Sequence, residues 1–360
     1  MHRRSLARLR VAFLACALLA AAGARADFKD PLLTPASPTA RLTSAPMTAV
    51  VHAGGGRFVA AGWRGLIVVS EDGGRNWKQA AVPVREDLTA LAFPTPTHGW
   101  AVGNEGIVLE TIDGGLHWAK RMDGTSAAQR MVEKYERLAA GKPGDAAIAA
   151  ALRESRNYQA QAPARPFLDV AFENEQTGYV VGTYNMIFRT TDGGRSWEPI
   201  FEKCDNPNAY NIYAVRVVGG EVFLAGELGL ALRLDRKKDR FEKMALPYEG
   251  TLFTMAGGPS FLVSAGLRGN AFYSGDLGRS WHRVEFTDNQ PATFAASAAM
   301  DDGSVAMVTL SGDIVLGRGG QPGFRRLHAR APMKYAGIAA AGADTVVVVG
   351  LQGIRTESIR

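Results

Sequence analysis

Four aspartates, Asp72, Asp113, Asp192 and Asp276, each stand two residues after a hydroxyl and five before an indole: Ser70 and Trp77, Thr111 and Trp118, Thr190 and Trp197, Ser274 and Trp281. A glycine is also fixed in each copy, at Gly74, Gly115, Gly194 and Gly278, so the pattern is Ser/Thr-x-Asp-x-Gly-x-x-Trp. Such carboxylates invite a glycosidase reading, because hydrolysis of a glycosidic bond uses a pair of acidic side chains flanking it. The spacing argues for another task. An Asp beside glycines bonds the N–H groups of a tight turn, the glycines take the positive φ that the turn needs, and the Trp begins the next strand with a large apolar anchor. The copies follow β-branched runs such as Leu66-Ile67-Val68-Val69, which puts each motif on the turn of a β-hairpin. The other chemistry-bearing residues are scattered. His2, His52, His98, His117, His282 and His328 show no metal-ligand spacing. Neither a phosphate-cradling Gly-x-x-x-x-Gly-Lys-Ser/Thr loop nor a Gly-x-Ser-x-Gly nucleophile turn occurs. The sequence therefore assigns no catalytic, cofactor-binding or metal residue, and it reads the four motifs as structural.

The motif resembles the Asp-box, or BNR repeat, of β-propellers. A second element counts the repeats. Gly-x-x-Gly turns between apolar runs begin at Gly62, Gly103, Gly226, Gly266 and Gly350, with degenerate copies from Gly182 and Thr309. Successive starts lie 41, 79, 44, 40, 43 and 41 residues apart. A period of about 40 residues with several short strands per unit predicts an all-β fold, a seven-bladed β-propeller. The long interval holds residues 124–166, which lack β-like alternation and predict a helical hairpin inserted between two blades. Its signals are a capping box from Ser126 to Gln129, an apolar stripe of Met131, Tyr135 and Leu138, and a stop at Gly141. A second helix runs from Asp145 towards Tyr158 and ends by Pro163. As an insertion in a surface connection, the hairpin is expected to be dispensable for folding. The seventh repeat reads as three strands, so residues 28–33 or 41–44 are expected to supply its outer strand and close the ring.

Residues 1–26 combine Arg3, Arg4, Arg8 and Arg10, an apolar stretch at 11–22 and Ala24-Arg25-Ala26, the pattern of a secretory signal peptide cleaved before Asp27. The apolar stretch is too short to span a membrane as a stable helix. The propeller then occupies 27–360. Five of the 41 basic residues and none of the 35 acidic ones lie in the leader, so the mature net charge is +1 and gives no argument for nucleic acid. Cys16 leaves with the leader, and Cys204 alone forms no internal disulfide. The expected product is exported and is not itself transmembrane.

Sialidases carry Asp-boxes on six blades, but their Arg-Ile-Pro signature is absent here; the nearest stretch is Arg41-Leu42-Thr43. Asp-Gly-Gly-x-x-Trp turns, the strands Gly-Trp-Ala-Val-Gly at 99–103 and Gly-Tyr-Val-Val-Gly at 178–182, seven repeats and a leader resemble instead the photosystem II stability/assembly factor family. The resemblance covers nearly the whole mature chain. It implies a periplasmic or, in a photosynthetic organism, thylakoid-lumenal propeller, non-enzymatic and without cofactor, that holds a membrane-protein subunit while its complex assembles. The chain reads as a monomeric scaffold with no nucleic-acid partner. A glycan-cleaving or glycan-binding propeller and an accessory subunit of an envelope export complex are the alternatives. Blade topology places the partner. The Asp-box joins strands three and four, so the Gly-x-x-Gly tips lie on the opposite face, with the blade crossovers and the helical insertion. Trp63, Arg64, Asn104, Glu105, Tyr184, Glu227, Arg268 and Gln352 at those tips mix aromatic, cationic and acidic groups suited to protein recognition.

Overall fold

The computed structural model describes residues 29–286, 292–318, 323–329 and 331–359. The expected leader at 1–26 lies outside them. Seven antiparallel sheets follow one another along the chain, six of four strands and one of three. They form blades 1 to 7, at 47–79, 88–122, 167–199, 212–243, 252–283, 294–328 and 335–358. Blade 1 sets the pattern, with strands Met47–Gly54, Arg57–Gly62, Ile67–Ser70 and Lys78–Gln79 paired in chain order.

Alternate side chains of a strand point to opposite faces of its sheet. In blade 1 both sets are apolar because both faces are covered. Val59, Ile67 and Val69 pack with Leu88, Ala101 and Leu109 of blade 2. Phe58, Ala60 and Val68 pack with Val347, Val349 and Ile354 of blade 7. The first and last blades thus share one apolar layer. Hydroxyls tie the inner strands across blade boundaries: Thr48 donates to the Leu88 carbonyl, Thr89 to that of Phe167 at 2.8 Å, and the Thr254 and Ser297 hydroxyls meet at 2.6 Å.

The expected closing strand is not formed among the described residues. Blade 7 keeps three strands, Tyr335–Ala340, Thr345–Gly350 and Gly353–Ser358. Pro31–Leu33 is a 3-10 turn capped by Asp30, and residues 41–45 form a turn closed by the Ala45 N–H on the Arg41 carbonyl at 3.0 Å. Phe28 lies outside the described residues. Pro31, Pro35, Pro38 and Pro46 remove the N–H donors that a ladder needs. The segment is instead held along blade 1, where the Ala36 N–H donates to Val82 O at 3.0 Å and the Thr39 N–H to Gln79 Oε1 at 2.9 Å. It reaches blade 7 through the Ile354 N–H, which donates to Thr43 O at 2.9 Å.

The insertion forms the two expected helices, Gly124–Gly141 and Ala146–Gln161. The first begins earlier than the sequence suggests: Asp123 is the N-cap and accepts the Ser126 N–H, while Ser126 Oγ accepts the Asp123 N–H, both at 3.0 Å. The hairpin is not detachable. Met131, Tyr135 and Tyr158 are fully buried in one core with Trp100, Phe188 and Phe201 of the propeller. The Tyr135 hydroxyl donates to Glu202 at 2.6 Å and accepts the Phe201 N–H at 2.8 Å. Buried Lys134 bridges Glu198 at 3.0 Å and Glu202 at 3.1 Å.

The Asp-boxes are built as their spacing requires. In blade 3, Thr190 Oγ1 donates to Asp192 at 2.9 Å and accepts the Gly194 N–H at 2.8 Å. Asp192 also accepts the Ser196 N–H at 2.9 Å and its hydroxyl at 2.6 Å. Gly193 and Gly194 sit at φ of 69° and 78°, a region that glycine occupies without strain. The Trp197 ring lies 5.6 Å from Trp100 of blade 2 and 5.9 Å from Phe172, edge to face, so the motif seals an interface between blades. Burial opposes the charge on Asp113, but hydrogen bonds from the His117 N–H, its ring and the Thr111 hydroxyl outweigh it and hold the carboxyl at about 2. The Asn76 N–H and Ser280 hydroxyl lead the donors that hold Asp72 and Asp276 lower still.

Trp197→Ala should cost about 3–5 kcal/mol, as other large-to-small core changes do, and Asp192→Ala should cost less, roughly 1 kcal/mol from exposed turn hydrogen bonds; urea denaturation measures both. The depressed carboxyl values fix the direction of the pH dependence. Asp-box stabilisation is complete above the unfolded carboxylate value of about 4 and is lost as pH falls towards the folded value. The melting temperature should therefore be insensitive to the Asp-boxes near neutrality and fall between about pH 4 and 2, less steeply in Asp113→Asn. Deleting 125–162 should lower the urea midpoint strongly, since it uncovers Phe188 and Phe201; an unchanged midpoint would show the hairpin to be only an appendage.

Candidate partner-binding face

Antiparallel strand order sends the turns between strands two and three of every blade to one end, opposite the Asp-boxes. Four of these turns are single 3-10 turns, Trp63–Gly65, Asn104–Gly106, Glu227–Gly229 and Leu267–Gly269. Non-glycine residues at these tips take the left-handed conformation, Arg64 at φ 55°, Glu105 at 55°, Tyr184 at 53°, Leu228 at 49° and Arg268 at 55°. That conformation costs an L-residue about 1–3 kcal/mol and persists only where the surroundings impose it.

Backbone donors impose it here. The N–H of the first tip residue donates to the carbonyl just ahead of its own blade's inner strand, as Asn104 does to Asp87 at 2.9 Å, Glu227 to Asn211 at 3.1 Å and Leu267 to Thr251 at 2.9 Å. A second N–H donates to a side-chain oxygen just ahead of the next blade: Arg64 to Asp87 Oδ1 at 2.7 Å, Tyr184 to Asn211 Oδ1 at 2.7 Å, and Arg268 to Thr293 Oγ1 at 3.2 Å. Asp87 and Asn211 thus each hold two neighbouring tips. Sequence reasoning missed Asp87, Asn211 and Thr293, although a polar residue immediately before the inner strands of blades 2, 4 and 6 is the signal. Gly65, at φ 72°, lies so close to the Val84 carbonyl that a side chain there would collide.

The tips carry an exposed apolar ring. Trp63 is 47% exposed, Tyr184 52%, Leu228 58%, Leu267 37%, Leu310 47% and Leu351 47%. These are six of the eight exposed large apolar side chains among the described residues, one on each blade except blade 2, so exposed apolar surface is concentrated at this end of the blades. Of the residues expected there, Trp63, Arg64, Tyr184, Arg268 and Gln352 are exposed. Asn104 and Glu105 are half-buried, with Gly106 against Gly124 of the insertion. Glu227 is occupied internally, accepting the Asn211 N–H at 3.0 Å, Asn211 Nδ2 at 2.9 Å and the Tyr213 hydroxyl at 3.3 Å. The Arg165 guanidinium lies 4.3 Å from the centre of the Tyr184 ring and pairs with Glu154. Leu228, Leu267, Leu310 and Leu351 were overlooked, yet each stands inside a turn motif that the sequence identifies.

The face offers contact area and cations. Among the described residues, no group of three or more His, Cys, Asp or Glu is placed to hold a metal ion, and no helix is long and apolar enough to cross a membrane. The Asp-box carboxyls lie below the usual range, the reverse of what a general acid near neutral pH needs.

A family model described as photosynthesis system II assembly factor YCF48 matches residues 69–139 and 154–263, half of the chain, and its gap falls inside the helical insertion. The photosystem II assembly protein Ycf48 of Synechococcus sp. (strain JA-2-3B'a(2-13)) is 32% identical over 131 residues, which cover 34% of this chain and 39% of that protein. The match thus spans about two fifths of that relative's length. A solved structure of YCF48 bound to D1 peptide aligns over 91% of this chain and 99% of its own, with a TM-score of 0.62 and 15% identity. An ancestral GH74 enzyme aligns over 89% of this chain and 46% of its own, with a TM-score of 0.61 and 11% identity. These two likenesses concern the fold alone, and the propeller architecture is common to an assembly factor and an enzyme. It is the family model, together with the Asp-box and strand motifs on a seven-sheet frame, that decides the relationship: this chain belongs to the photosystem II assembly factor YCF48 family.

Proposed function

We propose that this chain is an exported, non-enzymatic propeller that serves as a protein-binding scaffold for assembly of a membrane-protein complex. Its partner docks on the face of the Gly-x-x-Gly tips. The observation that carries this reading is the ring of six exposed apolar side chains on rigidly clamped turns. Aromatic and arginine anchors are the usual energetic centres of a protein interface. Family membership supports the assembly role, and the YCF48 structure with a D1 peptide offers a segment of a photosystem II subunit as the model for a client. Export is supported by the pattern of residues 1–26. The glycan-cleaving alternative draws support from the shared fold alone.

Capture of a partner from detergent-solubilised membranes tests the proposal. Trp63→Ala and the pair Arg64→Glu, Arg268→Glu should each weaken capture by about 1–3 kcal/mol while leaving the melting curve within roughly 0.5 kcal/mol of the parent. Arg75→Glu, on the Asp-box face, should capture normally. Loss in Arg75→Glu alone would reverse the face, and undiminished capture by all three would sink the scaffold reading.

A further inference from the structure

In every blade the first tip residue donates its N–H to the carbonyl just ahead of its own inner strand. Besides Asn104, Glu227 and Leu267, Trp63 donates to Pro46 at 3.4 Å, Thr183 to Pro166 at 3.5 Å, Leu310 to Thr293 at 2.9 Å and Leu351 to Lys334 at 3.2 Å. Turns bonded to the same point of each blade end at a common height, so the exposed apolar side chains of the tips lie close to one plane. Blade 2 alone adds none, and its turn is the one packed against Gly124 of the insertion. The partner-face reading draws on Trp63, Arg64 and Arg268 and leaves Leu228, Leu267, Leu310 and Leu351 without a task. Leucine is under-represented among the energetic centres of protein interfaces. One apolar group per blade, set among polar tip residues such as Thr183, Ser311 and Gln352, presents separate points rather than one patch.

We infer that this ring seats the propeller on a lipid bilayer, its tip side chains entering the headgroup layer and the propeller axis standing upright on the membrane. A fluid, planar surface needs no shape complementarity and meets all six points at once. Leucine, tryptophan and tyrosine are the side chains that settle at the boundary between headgroups and acyl chains. The clamped backbone holds them outward, so little ordering is left to be lost on contact. Charge is secondary here. Arg64 and Arg268 are exposed, but Asp87 holds the Arg64 N–H, and the crossovers expose Asp205 and Glu249. The inference goes beyond the partner-face reading by giving the same face a second neighbour. A client that belongs to a membrane-protein complex emerges level with the lipid, and a face resting there meets it without reorienting.

Trp63 reports the contact directly. It is 47% exposed, whereas Trp77, Trp100, Trp118, Trp197 and Trp281 are each 9% exposed or less, so brominated acyl chains quench Trp63 before the other indoles. Residues 27–360 are mixed with brominated phosphatidylcholine vesicles and, in parallel, sedimented with sucrose-loaded vesicles of phosphatidylcholine alone or with phosphatidylglycerol. Emission should fall, and the protein should pellet with both compositions and change little as salt rises. Leu228→Ser, Leu310→Ser and Leu351→Ser combined, with an unaltered melting curve, should lower the partition coefficient about tenfold or more. Ile112→Ser removes a side chain 75% exposed on the Asp-box face and should change nothing. Absence of sedimentation, pelleted protein with unquenched Trp63, or an equal loss in Ile112→Ser would overturn the seat. So would sedimentation that needs phosphatidylglycerol and disappears in salt, which would assign the contact to charge. No membrane protein is present here and no bilayer in the capture experiment, so either reading can fail alone.

Discussion

Each sheet of this propeller is apolar on both faces, and that single constraint organises the molecule. A four-stranded sheet with Phe58 and Val68 on one side and Val59 and Val69 on the other cannot stand in water. Each blade is stable only because its neighbours cover it, so the unit of folding is the set of blades rather than any one of them. The same constraint explains how blades 1 and 7 come together without a shared strand. Their facing side chains form one layer, and the proline-rich leading segment fastens the seam with a single bond from Ile354 to Thr43.

Polar groups carry what apolar packing leaves unspecified. Burial of valine and alanine is non-directional and would tolerate small slips between blades. The Asp87 and Asn211 side chains, each holding the tip of the preceding blade while its backbone holds its own, remove that freedom on one face. The Asp-boxes do comparable work on the other, through Trp rings wedged between blades. Rigid tips then present leucines, Trp63 and Tyr184 to solvent at little further entropic cost when a partner arrives.

The division of labour between the two faces separates structure from function. The residues that repeat most faithfully, Asp72, Asp113, Asp192 and Asp276, spend their hydrogen-bonding capacity on their own turns. The residues that vary from blade to blade, from Trp63 to Gln352, sit on turns whose backbone is fixed, and most of their side chains, Trp63, Arg64, Tyr184, Arg268 and Gln352, are exposed. Such a scaffold hosts an enzyme in one lineage and an assembly factor in another because function lies in the loops it displays.

The number of sheets, the Asp-box turns and the position of the helical hairpin were legible in the sequence because each depends on local chemistry. A turn needs glycine and an acceptor within a few residues, and a helix needs a cap and a period. The face carrying the tips was legible as well, since antiparallel order dictates it. What sequence reading got wrong was local in one case and a matter of distant contact in the others. Residues 41–44 look able to join a sheet until the turn at Arg41 and the neighbouring prolines deny it donors. The hairpin looks detachable until Tyr135 and Tyr158 are found fully buried in the core that runs through blades 2, 3 and 4. Glu227 looks like a surface acid until Asn211 and Tyr213 claim it.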